Sequence, residues 1–166
     1  MEKLIKSKKR VKKYAEVYTP LWLVKDMVDM IEKEGNTIGI ADTVLEPSCG
    51  EGVFLIEILE RKLKLAKEGY NFRRDSLTAL ASLYGVEIQP DNVKICKMKL
   101  YDTWAAQQEY INVEMERVAK EILERNIIHG DFLRAKTLSG AQIWFLPKQE
   151  NNNAKTNKKK KVSNKI

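Results

Sequence analysis

Along residues 20–35, PLWLVKDMVDMIEKEG, the apolar side chains Leu21, Val24, Met27, Val28 and Ile31 return at helical spacing and fall on one face. Thr19 stands where an N-cap belongs, Pro20 where a first-turn proline is tolerated, and Gly35 where a helix can stop. Residues 43–46 then read as a short buried strand, and residues 53–68 as a second helix stopped by Gly69. After a polar link, SLYGVEI (82–88) reads as a second strand, and Pro90 opens a helix running to about Gln107. A helix over 109–125, a short strand NIIH (126–129), the turn Gly130-Asp131-Phe132 and an apolar stretch QIWFL ending at Pro147 complete the pattern.

Strands that alternate with helices predict an α/β fold: a parallel sheet covered by helices, with right-handed crossovers. No internal repeat is visible. With 166 residues the chain suits one domain with a real core rather than two. No apolar run approaches the roughly 18 to 20 residues of a membrane span, and the basic N-terminus is not followed by an apolar signal core. Cys49 and Cys96 form no disulfide framework and read as intracellular thiols, so a cytoplasmic location is expected, with no membrane partner.

Charge adds a further feature. Residues 1–13 and residues 148–166 each carry a net +6, which leaves −5 for the body of a chain whose total is +7. The expected organisation is a basic N-terminal arm (1–13), a folded domain (14–147) and a disordered Lys/Asn-rich tail (148–166). Such ends are either simply solvated, or they attract polyanions such as DNA weakly and without reading sequence.

The candidate chemistry lies at TVLEPSCGEGVFL, residues 43–55, where a strand meets a glycine turn and a helix opens. Ligands of parallel sheets collect at the carboxyl ends of the strands. Three acids are expected there: Glu46 ending the first strand, Glu87 near the end of the second, and Asp131 after the third. Successive acids repel phosphate and suit ribose hydroxyls, amines or a cation. No GxxxxGK[ST] segment is present, which excludes a P-loop. The dinucleotide fingerprint fits poorly too, because Leu55 replaces its third glycine and Glu87 comes 35 residues after Gly52 rather than about 20. A ligand with an amine, a sulfonium and a ribose but no phosphate fits better, and S-adenosyl-L-methionine is that ligand.

Residues 45–55, LEPSCGEGVFL, resemble the cofactor loop of the amino-methyltransferases that modify adenine N6 in DNA in restriction–modification systems. The resemblance runs over residues 14–138 in the family's order. Val17-Tyr18-Thr19-Pro20 is similar to the segment that touches the methionine end of the cofactor. Tyr84-Gly85-Val86-Glu87-Ile88 is similar to the second strand, whose acid binds the ribose hydroxyls. Gly130-Asp131-Phe132-Leu133 is similar to the loop whose Asp takes the adenine amino group and whose Phe packs on the ring. The resemblance implies an incomplete Rossmann-like S-adenosylmethionine-dependent methyltransferase fold. It implies cofactor contacts at Tyr18, Thr19, Pro20, Glu46, Pro47, Ser48, Cys49, Gly50, Gly52, Glu87, Ile88, Asp131 and Phe132. Blander roles stand beside these: Thr19 as a helix cap, Phe132 as core, Glu46 as a loop-ordering group, Cys49 as a small buried filler. His129 reads as a strand-end residue, and one histidine with two distant cysteines makes no metal site.

One family element is missing from the sequence. Adenine-N6 transfer uses an Asn/Asp/Ser-Pro-Pro-aromatic motif, whose polar groups accept from the target amine while the aromatic stacks on a flipped base. The four prolines here, Pro20, Pro47, Pro90 and Pro147, are never adjacent. No catalytic residue is therefore assigned. The expectation is the cofactor-binding part of an adenine-N6 DNA methyltransferase, inactive alone. The alternative is a non-catalytic cofactor-binding subunit or decoy that pairs with a second chain supplying catalysis and DNA recognition. A small-molecule methyltransferase would need a complete sheet. The first strand is expected to show an open edge unless QIWFL pairs there, and Pro147 suits only a strand end.

Overall fold

Each of the first three strands is reached through a helix, and this repetition sets the frame. The computed structural model describes residues 7–14, 19–33 and 37–146. The helices are α1 (Lys8–Tyr14), α2 (Leu21–Lys33), α3 (Val53–Lys67), α4 (Phe72–Ala81), α5 (Pro90–Ala105) and α6 (Val113–Asn126). The strands are β1 (Val44–Glu46), β2 (Leu83–Glu87), β3 (Ile127–Asp131) and β4 (Lys136–Thr137). They form one sheet in the order β1-β2-β3-β4. The first three are parallel, with Val44 opposite Leu83 and Gly85 opposite Ile127, and β4 folds back antiparallel on β3. The expected mixed α/β architecture is thus present as a small four-stranded sheet with flanking helices.

Strand alternation divides the sheet into two unlike faces. Val44, Leu83 and Ile127 share one face and enter the main core, together with Val24, Leu55, Leu59, Leu100, Met115 and Leu123 from the helices. The opposite face carries Leu45, Tyr84, Val86 and Ile128, and Leu45 there is 40% exposed. It is met by the C-terminal segment, where the Trp144 and Phe145 rings lie 5.8 and 5.1 Å from Tyr84.

Several boundaries depart from the sequence expectation. The polar link before β2 is helix α4. Its first turn, Phe72-Arg73-Arg74-Asp75, hides the apolar pattern, but Asn71 caps it by accepting the Arg74 amide, and Ala79 and Leu80 are buried. Helix α6 begins at Val113 rather than at 109, because the Asn112 side chain accepts the Met115 amide and fixes the start. Pro20, not Thr19, occupies the cap of α2: its carbonyl accepts from Leu23 and Val24. Only Val24 and Val28 of the predicted α2 face are buried. That helix packs on α3 alone and leaves Leu21, Met27 and Ile31 exposed.

The N-terminal arm is not merely solvated. Residues Lys8–Tyr14 form a helix whose Arg10 pairs with Asp91 at 2.7 Å, at the start of α5. QIWFL does not pair with β1. Its Gln142 bridges Lys136 beside β4, and its aromatic residues cover Tyr84, so β1 is an edge strand among the described residues. The 148–166 tail, Gly35 and Pro147 lie outside the described residues. Among the described residues no helix is long and apolar enough to cross a membrane.

Two cations, one buried and one half-buried, fix the frame around the β1 loop. Lys62 of α3 is fully buried and donates to the carbonyls of Gly39, Ile40 and Asp42 and to Ser82 Oγ at 2.5 to 3.2 Å. It ties the run-up to β1 to the end of α4. Arg61, one position earlier, gathers Asp29 and Glu32 of α2 with Glu57 of its own helix. Together they lock α3, which carries the glycine loop at its N-terminus, against its neighbours.

Candidate functional site

After Glu46 the chain turns through Pro47 and Ser48 and drops Cys49 into the core, where it is 6% exposed. The Cys49 amide donates to the Val86 carbonyl at 3.0 Å, and Gly52 donates to the Cys49 carbonyl at 2.7 Å, closing the loop onto β2. Gly50 and Gly52 both adopt left-handed backbone, with φ of +53° and +88°, a region that costs other residues on the order of 1 kcal/mol or more. Their surroundings differ. A Cβ on Gly50 would point into open space, whereas one on Gly52 would fall 2.6 Å from Cys96 Sγ. Gly50 therefore leaves bare backbone beside open space, while Gly52 permits close packing of α3 on α5.

Glu87 closes the second side of the loop. Its carboxylate accepts the Gly50 amide at 3.0 Å and the Gln89 amide at 2.7 Å, and the residue is 6% exposed. An ionised carboxylate offers about four lone-pair sites, so two backbone donors leave acceptor capacity for hydroxyl groups.

Glu46, Glu87 and Asp131 are the last residues of three adjacent parallel strands. Register places Glu46 beside Gly85, two positions before Glu87, and His129 beside Glu87, two positions before Asp131. Even spacing puts all three acids on one face, rising like steps across the sheet. Burial raises the Glu46 pKa, partly offset by a hydrogen bond from the Ser48 amide. The Cys49 thiol is pushed far above its ordinary value by its contact with Cys96, by burial, and by the nearby carboxylates of Glu87 and Glu46. It stays protonated, a packing group rather than a nucleophile.

A cavity of about 330 Å³ opens over the strand tips, lined by Pro47, Ser48, Val86, Ile88, Asp131 and Phe132 among others. Asp131 accepts from the Arg134 amide at 3.2 Å and lies 3.5 Å from its guanidinium. Phe132 is half-buried at the cavity and is not part of the main core. Ile88 is 42% exposed, and its carbonyl lies 3.1 Å from His129 Nε2. Glu46, Cys49, Gly50, Gly52 and Glu87 stand beside this cavity at the strand ends without lining it, Thr19 and Pro20 do not line it either, and Tyr18 lies outside the described residues.

The structure thus gathers the residues from Glu46 to Gly52 with Glu87, Ile88, Asp131 and Phe132 at one end of the sheet, and leaves Thr19 and Pro20 at the start of α2. It also adds residues that the sequence reading passed over. A Cβ on Gly85 would lie 2.9 Å from Cys49 Sγ, so β2 and the loop touch through a missing side chain. A glycine inside a strand is the usual sign of such an approach. Cys96 receives the loop from α5, and Lys99 anchors Glu51 at 2.8 Å. Neither residue carries a sequence signal for that role.

Comparison with curated proteins finds no match, and comparison with solved structures finds none. The family model described as N-6 DNA Methylase matches residues 2–112, which include the start of α2, the glycine loop and Glu87. This chain belongs to the N-6 DNA methylase family.

Proposed function

We propose that the chain is the S-adenosylmethionine-binding part of a site-specific adenine-N6 DNA methyltransferase of the restriction–modification kind, on an incomplete Rossmann-like fold. The observation that carries this reading is the row of acids, Glu46, Glu87 and Asp131, ending adjacent parallel strands beside a glycine loop. The open space at Gly50 and the spare acceptor capacity of Glu87 fit the cofactor. Glu87 accepts from the ribose hydroxyls, Asp131 from the adenine amino group, and Ile88 and Phe132 flank the ring. Pro47, Ser48, Cys49, Gly50 and Gly52 shape the loop that the cofactor lies against, with Glu46 ordering its start. Tyr18, Thr19 and Pro20 meet the methionine end. When bound, the cofactor supplies an electrophilic methyl group on sulfur.

Transfer to adenine needs a polar Pro-Pro-aromatic element, and the sequence has no adjacent prolines. The chain alone therefore binds the cofactor without transferring its methyl group. Incubation of the purified protein with methyl-labelled S-adenosylmethionine and unmethylated duplex DNA tests this. Label retained by the protein and absent from DNA supports the reading, whereas N6-methyladenine in the DNA overturns it. DNA is held weakly through the basic ends, so its affinity falls steeply with salt and shows no sequence preference.

A second reading has its own support. Among the described residues strand β1 is an edge, its own Leu45 is 40% exposed, and the aromatic pair Trp144–Phe145 covers only part of that face. Unpaired edges invite another strand. On this reading a second chain docks there and supplies catalysis and target recognition. A partner bearing a Pro-Pro-aromatic motif that co-purifies with the wild-type chain and is lost on Leu45→Asp supports it. A chain that binds cofactor and purifies without such a partner excludes it.

A further inference from the structure

One cavity is remote from the glycine loop. It has a volume of about 660 Å³ and lies between the end of α3, the start of α4 and the link from α5 to α6. Ligand pockets generally span about 300 to 1,000 Å³. Lys67, which lines it, is the last residue of the 15-residue α3, so it stands roughly 21 Å along the helix from Val53 at the loop.

The wall of this cavity carries unused chemistry. Of the seven arginines, Arg10, Arg61, Arg74, Arg117 and Arg134 pair with carboxylates, and Arg125 sits over Trp144. Arg73 alone has no side-chain partner among the described residues, and it lines the cavity. Lys67 faces the same space, and among the described residues it is bonded only to the neutral Gln107 amide at 2.6 Å, with no carboxylate paired to its charge.

Two aromatic rings complete the wall. Tyr110 is 74% exposed and Phe72 is half-buried, and neither has another ring against it. Gln108 uses its amide nitrogen on Ser76 and the Trp104 carbonyl, which leaves its oxygen as an acceptor beside Glu109, a carboxylate with no partner among the described residues. Two cations, two ring faces and two acceptors around one cavity match a planar base that bears an exocyclic amine and a phosphate.

We propose that this cavity binds an amino-bearing nucleotide, its ring against Tyr110 and Phe72, its amine toward Glu109 and Gln108, and its phosphate on Arg73 and Lys67. A free nucleotide and a nucleotide of single-stranded DNA share this chemistry. The site lies apart from the strand tips and does not depend on the cofactor reading.

Calorimetric titration of the whole chain with adenosine 5′-monophosphate, and separately with a short oligodeoxyadenylate, tests the proposal. The expected result is saturable binding of at least one of them. Arg73→Ala and Tyr110→Ala should each weaken it about tenfold or more, as loss of a charge-assisted bond or a stacking face does. Glu121→Ala, an exposed change on α6 away from both sites, should leave it unchanged. Tighter binding of the oligonucleotide assigns the source to single-stranded DNA, and tighter binding of the monophosphate assigns it to free nucleotide. Failure of both to saturate at millimolar concentration overturns the proposal. So does binding that survives Arg73→Ala, or inorganic phosphate binding as tightly as the nucleotide.

Discussion

The carboxylate of Glu87 accepts the backbone amide of Gly50 at 3.0 Å across the gap between two loops, while its other oxygen holds Gln89 at 2.7 Å. One side chain therefore orders the chain leaving β1 and the chain leaving β2. Glu87→Ala leaves both amides without that acceptor and should cost about 1–3 kcal/mol, the usual penalty for a broken bond to a charged group. Glu87→Gln keeps one acceptor oxygen and turns an NH₂ toward an N–H, so it should recover only part of the loss. Urea denaturation of the three proteins measures this. Equal stability of all three would mean that the loops are ordered by something else.

Gly52 and Cys96 form a second tested contact. A Cβ at Gly52 would sit 2.6 Å from Cys96 Sγ on backbone at φ +88°. Gly52→Ala should destabilise the chain by about 2–4 kcal/mol, combining overpacking with left-handed strain. Adding Cys96→Ala should recover the overpacking part and leave the strain. Thermal unfolding of the single and double variants checks it. Full recovery would contradict the backbone component.

Lys62 links stability to pH. Its four oxygen partners are the carbonyls of Gly39, Ile40 and Asp42 and the Ser82 hydroxyl. Lys62→Met strands these acceptors and should cost about 3 kcal/mol or more. Burial lowers the Lys62 pKa to about 8 from the ordinary 10.5, with the Asp42 charge opposing. Between those values the unfolded chain binds more protons than the folded one, so this group's contribution to stability rises with pH. Denaturation from pH 7 to 10.5 should show the wild type gaining on Lys62→Met across that window. A difference that stays flat would contradict it.

The sequence showed most of the frame because the frame is local. Pro90 opening a helix, the apolar runs of β1 and β2, and the glycine turn all act through neighbours in the chain. Helix α4 escaped notice because its signal is the cap Asn71, with a first turn of charged residues. The fate of QIWFL was hidden for a different reason. Whether Trp144 and Phe145 pair with an edge or stack on Tyr84 depends on contacts about 60 residues away. At the site, the acids Glu46, Glu87 and Asp131 could be read from their places after strands. Their common face needed the register. At Gly52 the space a Cβ would take is filled by Cys96 of α5, a contact that no local pattern in the chain shows.

The central claim is that the strand tips grip S-adenosylmethionine through Glu87. Calorimetric titration of the purified chain with S-adenosylmethionine, beside Glu87→Ala shown to be folded and the exposed control Arg117→Ala, tests it most directly. The account predicts one saturable site in the wild type and in Arg117→Ala, weakened at least tenfold in Glu87→Ala. No binding by the wild-type chain, or equal binding by folded Glu87→Ala, would contradict it.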